Sequence, residues 1–201
     1  MERSEQPLEF WLQDLERRRA FVKPEHTMRG FFYKGMLGNI RTLGDEALVK
    51  RCLEACSEES FVDFFSYSVQ PLFLILLTAL PTLAERHGGA EAALRQIGRQ
   101  ASIDFLESVA GKAMVLLAGS NPRMLINNVP AAFNVAMSYG TARLEWTGQT
   151  RGRLLTEYSF VPPPFHEGMV QRLLEAGRAQ DIHVSAHATG ALNVVCEFSW
   201  K

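Results

Sequence analysis

Cysteine is scarce, and the three present, Cys52, Cys56 and Cys196, make an odd number. So few thiols cannot staple a secreted disulfide scaffold, and the opening residues Met1 to Gln6 are polar and charged where a signal peptide would be apolar. A reducing, cytoplasmic setting is expected. Excess charge is missing as well: 21 Lys and Arg stand against 22 Asp and Glu, a formal net charge of −1. That balance removes the global electrostatic case for nucleic acid or an acidic membrane. Also missing is a long apolar run. Phe64 to Ala84 carries no charge, but Ser66, Ser68, Gln70, Pro71 and Pro81 interrupt it. The unbroken stretch is about half of the roughly 20 residues that a membrane-spanning helix needs. A helix apolar all round but too short to span belongs in a core or a subunit interface.

Catalytic signatures are equally thin. The chain holds no Gly-x-Ser-x-Gly elbow, Walker loop, Cys-x-x-Cys pair or dinucleotide fingerprint. His183 and His187 lie four apart, a zinc-pair spacing on a helix, but on an extended strand they stand about 13 Å apart. Cys52 and Cys56 share a helical face, as thiol ligands, an acylation site or two small apolar side chains. Arg17, Arg18 and Arg19 form the one basic run, expected to be a solvated helix end. His166 falls in the first turn of a helix, either as a base oriented by Glu167 or by a terminal amide, or as an exposed helix-cap residue. No metal site and no enzymatic activity are expected.

What is present is apolar and aromatic. Thirteen Phe, four Tyr and three Trp in 201 residues supply enough apolar surface to exclude disorder. A chain of this length buries about 70% of its unfolded surface without any staple. Apolar residues at 8, 11, 12 and 15 mark an amphipathic helix, and Pro24 ends it, so residues 1–27 are expected to form a helical arm. Residues 28–201 then form a single α+β domain, helical over 28–130 and sheet-forming over 131–201. Leu94, Ile97, Ala101, Phe105, Val109, Met114 and Leu117 recur at helical intervals over 90–118, with Gly98 and Gly111 as places for a bend or close packing. Beyond Pro130 the period becomes two, through Val135, Met137 and Tyr139 and then Ala142, Leu144 and Trp146. Leu154 to Phe160 completes a hairpin, 162–177 reads as a helix with an early proline and a terminal glycine, and 182–188 and 192–200 form a second hairpin. The expected fold is therefore a helical N-terminal half packed on an antiparallel sheet built from a hairpin, a crossing helix and a hairpin.

Several of these segments are familiar as a set: Gly30-Phe-Phe-Tyr-Lys-Gly-Met36, Val129-Pro-Ala-Ala-Phe133, Tyr139-Gly-Thr-Ala-Arg143, Pro164-Phe-His-Glu-Gly168 and the closing strand at Trp200. From Gly30 to Trp200 the chain resembles an uncharacterised paralogous family abundant in myxobacteria. The resemblance implies a fold similar to haem nitric oxide/oxygen binding domains and to vinyl-reductase-type small-ligand domains, and it implies no activity. In the haem domains a histidine on the long central helix ligates iron, and a Tyr-x-Ser-x-Arg motif holds the propionates. Tyr139, Thr141 and Arg143 resemble that motif, and their hydroxyls and guanidinium suit carboxylates. No histidine lies between His87 and His166, however, and Met114 is a weak iron ligand, so no haem and no other cofactor is expected.

Two functions fit. One is a non-enzymatic regulatory or sensory module that binds a largely apolar or amphiphilic small molecule, with Phe105, Met114, Tyr139, Thr141 and Arg143 as candidate ligand-binding residues. The other is an interaction or scaffolding module with a filled core. A homodimer is expected, because the Phe73 to Leu80 helix and the N-terminal arm offer more apolar surface than one sheet face covers.

Overall fold

Alternation of apolar and polar residues builds the sheet, and glycine places its first turn. The computed structural model describes residues 5–119 and 121–201. Strands β3 (Thr141–Trp146) and β4 (Arg151–Glu157) form a hairpin, and β5 (His183–Ala188) and β6 (Val194–Ser199) form another. All pairs are antiparallel, in the order β3-β4-β6-β5. Gly140 precedes β3 at φ +70°, and a Cβ there would stand 2.5 Å from the Glu157 carbonyl oxygen, so only glycine fits without strain. Helix α9 (Pro163–Ala176) crosses one face of the sheet. Leu154, Ala186, Val194, Cys196 and Phe198 point inward from the strands to meet Val170, Leu173 and Leu174. The other face carries Arg143, Arg153, Glu197 and His187 into solvent.

The helical half comprises α1 (Leu8–Arg19), α2 (Gly30–Leu43), α3 (Glu46–Cys56), α4 (Gln70–His87), α5 (Ala90–Glu107), α6 (Val109–Ala118), α7 (Pro122–Asn127) and α8 (Val129–Ala136). A two-stranded ribbon, β1 (Thr27–Arg29) with β2 (Ser66–Ser68), fastens the start of α2. Asp45 starts α3 by accepting the Leu48 N–H at 2.8 Å. Cys52 is buried and Cys56 half-buried on α3, with their thiols near the Ile75 and Pro71 carbonyls of α4. No helix of the described residues is long and apolar enough to cross a membrane.

The two halves meet where α5 crosses α9. A Cβ on Gly98 would stand 2.0 Å from the Phe165 carbonyl oxygen, and one on Gly168 would stand 1.9 Å from that of Arg95. Reciprocal glycines thus let the two backbones touch, which is the close packing expected of Gly98.

Four expectations change. Residues 129–136 are helix α8, not the beginning of a strand: Pro130 in a first turn and the two alanines after it favour helix, and three alternating positions were too few to set a period. The long 90–118 pattern is two helices, because Ser108 ends α5 and caps α6 by accepting the Gly111 N–H. Leu72, Phe73, Ile75, Leu76, Ala79 and Leu80 of α4 are buried within this chain, with Leu74 and Leu77 half-buried, so most of the apolar surface expected to seek a partner is taken up inside the fold. Finally, Arg18 is no solvated helix end. It is 1% exposed, donating from Nε to Asp14 at 2.6 Å and from Nη1 to the Ser159 carbonyl at 2.8 Å. The N-terminal arm is thereby bonded to the segment that leads into α9.

Candidate ligand chamber

Between α2, α5 and α8 on one side and α9, the 159–161 segment and β4 on the other lies an apolar space of two adjoining compartments, of about 180 and about 140 Å³. Phe32 of α2, Ala101 and Phe105 of α5, Phe133 of α8, and Met137 and Phe165 border both. Phe32, Phe105, Phe133 and Phe165 remain half-buried, so apolar surface that the fold could have packed away lines a void instead. Even together, the compartments reach only the low end of the roughly 300–1,000 Å³ typical of small-molecule sites.

The five candidate residues divide. Phe105 borders both compartments, Met114 the second and Tyr139 the first. Tyr139 is 6% exposed and packs against His26 and Phe160, and burial pushes its phenol well above the ordinary range. Thr141 and Arg143 lie elsewhere, on the solvent face of β3. Thr141 bonds the Glu157 carboxylate at 3.3 Å, and Arg143, 67% exposed in its side chain, lies 3.5 Å from Glu145. The physical reason is the strand period: Ala142, Leu144 and Trp146 take the inner face, which leaves 141 and 143 outside.

His166 is the largest departure from expectation. The sequence places it on a helix first turn with an exposed outlook, whereas the structure buries it to 3% exposure beside the second compartment. Its Nε2 stands 2.9 Å from Ser159 Oγ, and Ser159 Oγ in turn donates to the Val161 carbonyl at 3.2 Å. That direction makes Nε2 the protonated nitrogen and leaves Nδ1 a bare acceptor with no partner. Burial, and then the nearby Arg18 charge, push the imidazole down to about 3. A Ser–His pair at hydrogen-bonding distance suggests nucleophilic catalysis, but here the base is weakened by burial and no carboxylate orients Nδ1. The pair acts as a brace between α1, the 159–161 segment and α9. Glu167 bonds Arg95 Nε at 2.7 Å and the Ala186 N–H at 2.8 Å, tying α9 to α5 and to β5.

Sequence reasoning missed Arg18, Asn39, Asp104, Ser159 and Phe133 as parts of this region. Phe133 alone carried a signal, as the last residue of the Val129-Pro-Ala-Ala-Phe133 segment. Among the described residues no group of His, Cys, Asp and Glu is placed to hold a metal ion.

The Tyr139, Thr141 and Arg143 set that resembles a propionate clamp does not converge on the chamber. Thr141 and Arg143 stand on the solvent face of β3, and among the described residues that border the chamber there is no Lys or Arg to pair with propionates.

A helical half closed against a four-stranded antiparallel sheet is nonetheless the fold of the H-NOX proteins. The H-NOX protein from K. algicida in its Fe(II) unliganded form aligns with a TM-score of 0.63 and 12% identity, over 87% of this chain and 97% of that one. The H-NOX protein from S. oneidensis in the Fe(II)NO ligation state gives 0.66 and 14%, over 87% and 99%. An oxygen-binding H-NOX domain related to soluble guanylate cyclases, in its oxygen complex, gives 0.63 and 13%, over 87% and 95%. At such identities the likeness is one of fold. Residues 22–201 match DUF2378, a family described as proteins of unknown function, and the chain belongs to that family. No curated protein matches the chain.

Proposed function

We propose that this protein is a non-enzymatic sensory or regulatory module that binds a largely apolar small molecule, without haem, in the chamber between its two halves. The double compartment walled by half-buried phenylalanines carries this reading, because a fold free to collapse would have filled it. The likeness to domains that hold nitric oxide or oxygen complexes supports a small-ligand role for the fold. The weakened His166 and the outward Arg143 argue against both catalysis and a propionate clamp. Native mass spectrometry of gently purified protein tests the reading, alongside Ala101→Trp, which fills a wall shared by both compartments. Added mass in the wild type that is lost in the folded variant is expected. No added mass, and no thermal stabilisation by any apolar compound, would overturn it.

A second reading rests on exposed aromatic residues. Phe64 is 84% exposed and Phe65 62%, beside Val62 at 47% and Phe31 at 42%. Such a patch suits a protein partner, and a second copy of this chain is the simplest one. Light scattering at micromolar concentration should then show a dimer that Phe64→Ser dissociates, and a monomeric wild type would refute it.

A further inference from the structure

The chamber carries charge of one sign. Among the described residues that border it, the ionisable side chains besides the tyrosine are Asp104 and His166, and no Lys or Arg is present. Burial keeps His166 uncharged at neutral pH, so among the described residues of the wall no side chain neutralises an anion.

At one end of the first compartment, Asp104 of α5 faces α2. It accepts from Gln100 Nε2 at 3.2 Å, and a Cβ on Gly35 would lie 3.2 Å from its Oδ2. Burial raises its carboxyl above the usual range, against the opposing hydrogen bonds of Gln100 and Asn39. Asn39 borders the same compartment and is 2% exposed, yet its Nδ2 makes no hydrogen bond of ordinary length. That donor faces the Asp104 carboxyl, whose charged form it favours, at more than ordinary hydrogen-bond length, so a ligand group that accepts from Asn39 and donates to Asp104 would replace one long contact with two good ones. The two side chains thus present a donor and an acceptor together, and the rest of the wall is apolar.

We propose that the chamber selects uncharged amphiphiles whose hydroxyl or amide head sits between Asn39 and Asp104, and that it discriminates against carboxylates. A hydroxyl or primary amide can accept from Asn39 and donate to Asp104 at once. A carboxylate would be desolvated beside a like charge with no Lys or Arg among the described residues of the wall, Arg18 behind it being already paired with Asp14, a doubly unfavourable arrangement. The proposal rests on the chamber being a ligand site, and it replaces the acid-binding role that Arg143 could have played.

Short probes suit the space, since a cavity of about 150 Å³ already holds benzene. Calorimetric titration of the wild type with 1-octanol, octanamide and octanoate at neutral pH compares three heads on equal chain lengths. Octanol and octanamide should bind, and octanoate should bind at least about tenfold more weakly. Asp104→Asn should narrow that ratio at least about threefold by removing the like charge. The wild-type ranking requires no variant, so misfolding of Asp104→Asn leaves the test intact. Octanoate binding as tightly as octanol would overturn the selectivity and leave the chamber as a ligand site, as would an unchanged ratio in folded Asp104→Asn. Failure of all three probes to bind would overturn the selectivity together with the ligand-site reading.

Discussion

His166 turns the burial of one side chain into a measurable dependence of stability on pH. In the folded chain, desolvation and the Arg18 guanidinium lower its pKa from 6.5 to about 3. In the unfolded chain it titrates near its ordinary value. Between those values the unfolded chain takes up a proton that the folded one refuses, so stability is greatest above about 6.5 and falls as the pH drops. From pH 7 to pH 5 the loss is about 2 kcal/mol, from about 1.36 kcal/mol per unit over about 1.5 units. For a chain of this size that is a fall in Tm of about 4–8 °C. Asp104 acts in the opposite sense, since a raised carboxyl favours the folded state at low pH, but it is common to both proteins compared. His166→Gln cannot take up the proton and keeps an amide that can donate to Ser159 Oγ. Whatever its own cost, its stability should fall about 2 kcal/mol less than the wild type's between pH 7 and pH 5. Urea denaturation of both proteins at both pH values measures this double difference, in which groups common to the two cancel. A double difference below about 0.5 kcal/mol would show that His166 titrates freely in the folded state and refute its burial.

Other substitutions probe the joints of the fold and the limits of the site. Arg18→Met should cost about 2–3 kcal/mol in denaturant unfolding, because the Ser159 carbonyl loses a charged donor and Asp14 its partner; a cost under 0.5 kcal/mol would return Arg18 to the surface. Gly98→Ala gains about 1 kcal/mol of helix propensity but meets the Phe165 carbonyl, an overpacking that costs about 1–3 kcal/mol and more when backbone must move, so the variant should be less stable. A rise in its unfolding midpoint would refute the close α5–α9 crossing. Arg143→Ala should leave octanol binding unchanged, because that side chain stands on the outer sheet face. Haem reconstitution should likewise yield no sharp stoichiometric Soret band, and a band that vanished in Arg143→Ala would restore the propionate clamp.

Local pattern alone determined much of this protein. Period-two alternation at 142, 144 and 146 marked the inner face of the first hairpin strand, and Leu154 to Phe160 its partner. The early proline and Gly177 bounded α9, and the charge-free centre of α4 had to be buried somewhere. These features follow from short-range geometry, which a sequence displays directly. Tertiary structure decided the rest. Arg18 and His166 look like surface residues until α1 is laid against the 159–161 segment, because hydrogen-bond partners 141 residues apart or on different elements leave no periodic trace. Tyr139, Thr141 and Arg143 look like one motif along the chain, but the turn at Gly140 and the pleat of β3 send Tyr139 inward and the other two to solvent. The chamber itself is the clearest case. Each phenylalanine around it reads as an ordinary core residue, and whether they fill a space or only enclose it depends on how far apart α2, α5 and α8 are held. The backbone contact of Gly98 and Gly168 sets how closely α9 crosses α5 at the chamber's edge, and that too is a contact between distant segments.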